Sequence, residues 1–386
     1  MEKIENISLS DARHIILYCQ KLSGENYSEN KDDLCNIIDQ LGYVQIDTIS
    51  VVERSHHHIL WSRMPLYKKI MLDELLESDK KIFEYWSHAA AFLPMNEFRF
   101  SLIRKKHFLK KHKTWGSADT KIIKKVYQRI KVEGPLRARD FDDPRTGNSG
   151  WWDWKPSKDA LDYLFHAGKV MVARRQGFQK VYDLTDRILP RDVITDVPKE
   201  KEFYQHLILT AIKSNGLVTQ KEIMYLRKYD RKVFERAFKA LIKNDKIRQV
   251  SIETLEEKYF TISEKLRILD IKKELKNLHI LSPFDNLVIQ RKRLKTFFNF
   301  DFQIECYLPQ SKRKFGYFSL PVLYGDKFIG KIDLKASRIS GSLIINNFFP
   351  ESGVKINGVL KDNFKKKLNE LAEFSCCNKI SGSDIF

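Results

Sequence analysis

The feature that most constrains this chain is a repeat at an offset of 77 residues. Ala160-Leu161-Asp162-Tyr163-Leu164-Phe165 aligns with Ala237-Phe238-Lys239-Ala240-Leu241-Ile242, Lys169-Val170 with Lys246-Ile247, and Tyr182 with Tyr259. Each copy reads as an amphipathic helix, a short turn, a strand, a polar or basic tip and a second strand. Helices precede both copies. In the first, apolar residues recur at helical spacing over 119–132, Gly134-Pro135 breaks the pattern, and a short helix begins over 138–141. In the second, a helix over 202–214 meets Gly216, and Thr219 stands as N-cap to Gln220-Lys221-Glu222-Ile223. Helices followed by a two-stranded wing are the order of the winged helix-turn-helix.

A third, less regular copy is expected at the start. There Ser10 or Asp11 caps a helix to Leu22, a second helix runs over 31–41 to Gly42, and a strand follows over 43–49. From about Leu281 the pattern changes to strands over 303–307, 316–323, 327–336 and 342–348, closed by a lysine-rich helix over 363–374. The expected class is α+β: tandem winged-helix motifs with a C-terminal, mostly β domain. The boundaries are drawn at 1–115, 116–198, 199–278 and 279–386.

Lys and Arg number 69 against 50 Asp and Glu, and a formal charge of +19 favours a polyanionic partner. A membrane surface is the less favoured polyanion, because no apolar run approaches the ~20 residues of a spanning helix. Met1-Glu2-Lys3-Ile4-Glu5-Asn6 has no apolar signal core, so export is not expected and the cytoplasm, at the nucleoid, is. Five cysteines without a Cys-x-x-Cys pair suit a reducing compartment rather than a disulfide framework or a zinc ribbon; Cys376 and Cys377 are adjacent. Neither a Gly-x-Gly-x-x-Gly run nor a P-loop is present, so no nucleotide cofactor is expected.

The charge is concentrated. Between Arg99 and Lys131 there are twelve Lys or Arg residues and one acid, Asp119, with Lys105, Lys106 and Lys110 in the densest stretch. One lysine run alone is more often a solvated helix face; beside tandem DNA-binding motifs it reads as a surface that follows phosphates. Arg291 and Arg293, and Lys312-Arg313-Lys314, are smaller clusters of the same kind. Trp152, within Trp151-Trp152-Asp153-Trp154, is either a packing staple or a wedge into distorted DNA, and Arg174-Arg175 at the first wing's tip can enter a groove.

For chemistry, His56-His57-His58 is a poor metal tripod, since consecutive residues of a strand face opposite ways. A polar or DNA-facing loop is expected there, with Arg54, His57 and Arg63 as candidate contacts to the nucleic acid. No Gly-x-Ser-x-Gly elbow offers a nucleophilic serine, and no lysine stands out as a nucleophile. In Tyr43-Val44-Gln45-Ile46-Asp47-Thr48-Ile49, an extended strand would put Gln45 and Asp47 on one face. On spacing alone this is a half-exposed edge strand.

Gln45-Ile46-Asp47, directly after a Leu-Gly-Tyr helix end, resembles the Gln-x-Asp motif of AlkZ/YcaQ-like winged-helix DNA glycosylases. Gly150-Trp151-Trp152-Asp153-Trp154-Lys155-Pro156, Ala167-Gly168-Lys169-Val170-Met171-Val172 and Phe178-Gln179-Lys180-Val181-Tyr182-Asp183-Leu184-Thr185 resemble the YcaQ branch in particular. So do Leu281-Ser282-Pro283-Phe284-Asp285, Gln290-Arg291-Lys292-Arg293 and Lys312-Arg313-Lys314-Phe315-Gly316-Tyr317-Phe318. The resemblance covers nearly the whole chain and is weakest over 215–257.

It implies a monofunctional glycosylase that hydrolyses the bond between deoxyribose and an alkylated purine, interstrand crosslinks included, with Gln45 and Asp47 catalytic. Asp47, ionised at neutral pH, would oppose an oxocarbenium-like sugar, and Gln45 would orient a water. The substrate would be double-stranded DNA, met by a monomer without metal, nucleotide or redox cofactor. The rival is a non-enzymatic winged-helix transcriptional regulator, which tandem motifs and basic charge alone would favour.

Overall fold

Ser8 opens the first helix, Leu9–Cys19: its hydroxyl accepts from Asp11 N–H at 3.0 Å, so the cap falls ahead of Ser10 and Asp11, the expected positions. The second helix, Lys31–Leu41, has the bounds its sequence predicts. Asn30 caps it, and Gly42 ends it at a left-handed φ of 74°, where a Cβ would press on Thr210 at 3.0 Å. The computed structural model describes residues 5–24, 29–111, 120–141, 156–271 and 274–383. The chain forms two units: one of Met1–Tyr67, His88–Ala90 and Tyr204–Phe386, the other of Lys68–Ser87 and Ala91–Phe203.

In the first unit, Glu5–Ile7 pairs parallel with Arg248–Ile252, which pairs antiparallel with Leu255–Thr261. Ile15, Ile16 and Leu17 of the first helix join Val250, Ile252, Tyr259, Phe297 and Phe300 in one core cluster. A five-stranded sheet runs in the order Leu278–Ile280, Ser319–Tyr324, Lys327–Ser337, Ser342–Pro350, Lys379–Gly382. The strand expected over 303–307 does not form. Glu305 is buried there, and its carboxylate accepts the N–H groups of Lys314 and Phe315 at 2.8 and 2.7 Å, folding the segment into a loop. The closing helix, Gly358–Phe374, begins earlier than expected because Asn357 caps it.

The two repeat copies have the same order of elements. The first has Thr120–Glu133, the turn Ala138–Asp140, Pro156–His166 and the hairpin Val170–Gln176 with Gln179–Leu184. The second has Glu200–Asn215, Gln220–Ile223, Arg231–Lys243 and the hairpin Arg248–Ile252 with Leu255–Thr261. Each hairpin gains a short partner on its second strand, Leu136 opposite Tyr182 and Val218 opposite Phe260, and the second hairpin also carries Glu5–Ile7 on its first strand. Thr219 caps as expected, in a reciprocal box with Glu222. Among the described residues, no helix is long and apolar enough to cross a membrane.

Candidate active site

Past Gly42 the chain is extended only briefly. Val44–Gln45 is the strand, and Ile46 N–H still donates to Ala90 O at 2.8 Å. At Asp47 it turns, because Oδ1 accepts the N–H of Ile49 at 2.7 Å. A side chain that bonds the backbone two residues on competes with a sheet ladder, and this cuts short the strand expected over 43–49. Strand alternation therefore does not extend to Asp47.

Gln45 is buried, at 7% exposure, and its Oε1 accepts from His88 Nε2 at 3.0 Å. Burial, with the nearby charge of Arg227, pushes His88 down to about 4, so the imidazole is neutral at pH 7. Donation through Nε2 fixes its tautomer. The ring is held edge-on by Tyr43, at 5.1 Å between centroids and 81°, and lies 6.1 Å from Tyr225. With its oxygen occupied, Gln45 keeps two amide N–H groups as donors.

Asp47 is about half buried. Burial raises its pKa and the Ile49 N–H lowers it, with burial the stronger. Among the described residues, no lysine or arginine forms an ion pair with it. Its charge is felt by Cys306 and Tyr307, in the loop that Glu305 pins.

Sequence reasoning missed His88. It stands in Ser87-His88-Ala89-Ala90, 43 residues from Gln45, with no motif around it.

The cations expected at DNA divide sharply. Arg63 is wholly buried, gripping Asp285 at 2.7 and 2.9 Å and donating to the carbonyls of Gln20 and Ile59. Lys105 is 5% exposed, with Nζ 3.9 Å from the centroid of Phe98 and 4.8 Å from that of Tyr85. Burial pushes Lys105 down to about 7, while the ring faces favour its charged form. Arg175 pairs with buried Glu84 at 2.8 Å. Arg293 pairs with Glu222 at 3.0 Å, and Arg291 donates to the carbonyls of Pro283 and Val288 above the Phe302 ring. These five face inward: the four arginines donate to carboxylates or carbonyls of the protein, and the Lys105 ammonium lies over aromatic rings.

Lys106 and Lys110 are exposed on the helix Phe98–Lys111. Arg174 is partly exposed, 3.8 Å from Glu77. The three histidines do not form a loop: they begin the helix Ser55–Trp61, with Arg54 at its N-cap. His56 and His58 point inward, His58 donating to Ile280 O at 2.8 Å, and His57 is partly exposed with Nδ1 2.7 Å from the Tyr67 hydroxyl. Trp152 lies outside the described residues.

The family model for DNA glycosylase AlkZ-like proteins matches residues 38–374, a span that takes in Gln45, Asp47 and His88. Among solved structures the chain is similar to Streptomyces sahachiroi DNA glycosylase AlkZ, with a TM-score of 0.65 and 14% identity, over 98% of this chain and 99% of that one. At that identity the likeness is one of fold; the family match over most of the chain carries more, and the chain belongs to the AlkZ-like DNA glycosylase family.

Proposed function

We propose that this protein hydrolyses the N-glycosidic bond of alkylated purines in DNA, of the N7-alkylguanine type, and of interstrand crosslinks with the same linkage. The observation that carries the reading is the hydrogen bond between buried Gln45 and His88, two residues from a half-buried Asp47 that makes no ion pair among the described residues, in a chain of a DNA glycosylase family. Alkylation at N7 makes guanine cationic and a ready leaving group, so the protein need not protonate it. What it must supply is a negative charge against the developing oxocarbenium ion and a placed water. Asp47 supplies the charge. Neutral His88 occupies the Gln45 oxygen, which leaves the amide N–H groups to orient the water.

The two repeat copies, read as winged helices, would hold the duplex through its phosphates, a role that leaves base discrimination to the site. The reaction is hydrolytic and monofunctional: no lysine serves as nucleophile, and Lys105, whose ammonium is the most depressed among the lysines of the described residues, is enclosed by aromatic rings. Tandem winged helices alone would equally suit a transcriptional regulator; the family match favours the enzyme.

The test is incubation with a duplex carrying one N7-methylguanine and with a nitrogen-mustard crosslink, scored for alkali-labile abasic sites. Base release without strand scission, and without an adduct trapped by borohydride, is expected. A trapped adduct would overturn the monofunctional mechanism, and no release from either substrate would return the lead to the regulator.

A further inference from the structure

We infer that Tyr307 and Tyr317, with Arg313 between them in the chain, form an aromatic ledge that stacks on the cationic, alkylated base beside Asp47. This rests on the glycosylase reading and names the part of the protein that recognises the lesion.

The first observation is exposure on a fixed loop. Tyr307 is 72% exposed and Tyr317 43%, yet the loop that carries them is closely tied. Buried Glu305 accepts from Lys314 and Phe315, Leu308 N–H returns to Glu305 O at 2.9 Å, and Arg313 Nε donates to Leu308 O at 2.9 Å. Gly316 adopts φ 99° hard against Asp333, where a Cβ would come within 2.2 Å of a carboxylate oxygen. Phe315 of the same loop packs edge-on against Phe349 at 5.2 Å. A loop this well fixed can present rings to a ligand with little further loss of conformational freedom.

The second observation is charge. The Arg313 guanidinium lies 4.9 Å from the centroid of the Tyr317 ring, and Lys312 and Lys314 on either side are exposed. Aromatic faces interleaved with cations are how proteins take hold of a base that has left its stack, the rings meeting the base and the cations its phosphates. The third is place: Gly316 lies against Asp333, three residues before Ala336, whose N–H donates at 3.0 Å to the carbonyl of Val51, four residues past Asp47, and the charge of Asp47 is felt by Tyr307 and Cys306. A ring face offers its negative quadrupole to a positive base, so the ledge favours N7-alkylguanine over guanine.

The experiment compares Tyr307→Ala, Tyr307→Phe and Tyr307→Trp in the full chain. Affinity is measured for a duplex with one N7-methylguanine and for its undamaged twin, alongside single-turnover release. Base stacking of about 1–3 kcal/mol corresponds to a drop of roughly 5- to 150-fold in preference for the damaged duplex in Tyr307→Ala. Tyr307→Phe should keep that preference, and the fluorescence of Tyr307→Trp should be quenched by the damaged duplex more than by its twin. Unchanged preference in Tyr307→Ala would overturn the inference, as would an equal loss in Tyr307→Phe, since the hydroxyl and not the ring face would then be at work. If the wild type releases no base, the glycosylase reading fails by that result, while the binding and quenching arms still decide the ledge.

Discussion

Asp285 and Asp47 belong to the same unit, and their surroundings are opposite. Asp285 is wholly buried: both of its oxygens meet Arg63, and Oδ1 also accepts from Leu287 N–H at 2.9 Å. Arg63 uses its remaining donors on the backbone carbonyls of Gln20 and Ile59 and on the Gln20 side-chain oxygen. Asp47 is half exposed, with a single backbone N–H on Oδ1 and no ion pair among the described residues. A carboxylate whose charge is cancelled inside the protein works as part of the fold. One whose charge is left standing at the edge of solvent can answer a positive charge that arrives only during a reaction. The cations divide the same way, Arg63, Arg175 and Arg293 inward and Lys106 and Lys110 outward.

The strongest test of that contrast is stability. Asp285→Asn leaves Arg63 charged and buried, which should cost about 3–5 kcal/mol in denaturant unfolding. Asp47→Asn, at a half-exposed position, should shift stability by about 0.5 kcal/mol or less. Equal losses from the two variants would erase the distinction between them.

Next in size is the rate. Asp47→Asn should slow single-turnover excision of an alkylguanine by about 10²–10³ with DNA affinity retained, because the charge it opposes is complete only in the transition state. The pH profile should carry the same signature. With its pKa raised by burial, Asp47 should give wild-type activity an acidic limb above the ordinary aspartate range, activity falling as pH drops through it. Protonating His88 near 4 leaves its Nε2 a donor to Gln45, so that limb belongs to Asp47 and should vanish from the residual activity of Asp47→Asn.

Smaller effects are expected from the positioning pair. Gln45→Ala should cost less than Asp47→Asn, since bulk water partly replaces an ordered one, and the double variant should be scarcely slower than Asp47→Asn alone. His88→Phe keeps a ring against Tyr43 and removes the donor to Gln45. The loss of one hydrogen bond, about 1 kcal/mol, corresponds to a rate roughly fivefold lower. If the rate is unchanged in both Gln45→Ala and His88→Phe, the Gln45–His88 bond is packing and Asp47 acts without it.

What the sequence could and could not reveal follows from distance along the chain. The repeat at offset 77 and the N-terminal helix Lys31–Leu41 were legible because helical spacing, the Thr219–Glu222 box and the Gly42 stop are all local signals. The end of the strand at Asp47 was not, since a side-chain bond to Ile49 leaves the apolar alternation intact. Nor was the failure of 303–307 to join the sheet, which depends on Glu305 reaching residues nine and ten positions on. Lys105 deceived for a related reason. Within Arg104-Lys105-Lys106 all three look like surface, but a helix turns about 100° per residue, and only the middle one meets the rings of Phe98 and Tyr85. The partnership of Gln45 with His88 had no local trace at all.

The mildest prediction concerns the outward cations, and it separates them from the inward ones. Lys106 and Lys110 are exposed on the same helix that buries Lys105, so Lys106→Ala with Lys110→Ala removes charge without opening the aromatic cage. Each phosphate contact contributes about 0.9 to the slope of log K against log salt, so losing two should shallow the slope for undamaged duplex by about 1.8. Lesion preference should not change, because phosphate contacts position DNA without reading it. Replacing Lys105 instead would mix two effects, a lost charge and a collapsed cage, and its slope could not be assigned. Binding titrations across a salt series decide the matter. A slope equal to that of the wild type would mean that this helix face does not meet DNA, and the chain's excess positive charge would have to act through other exposed residues, of which Lys312 and Lys314 are the first to substitute.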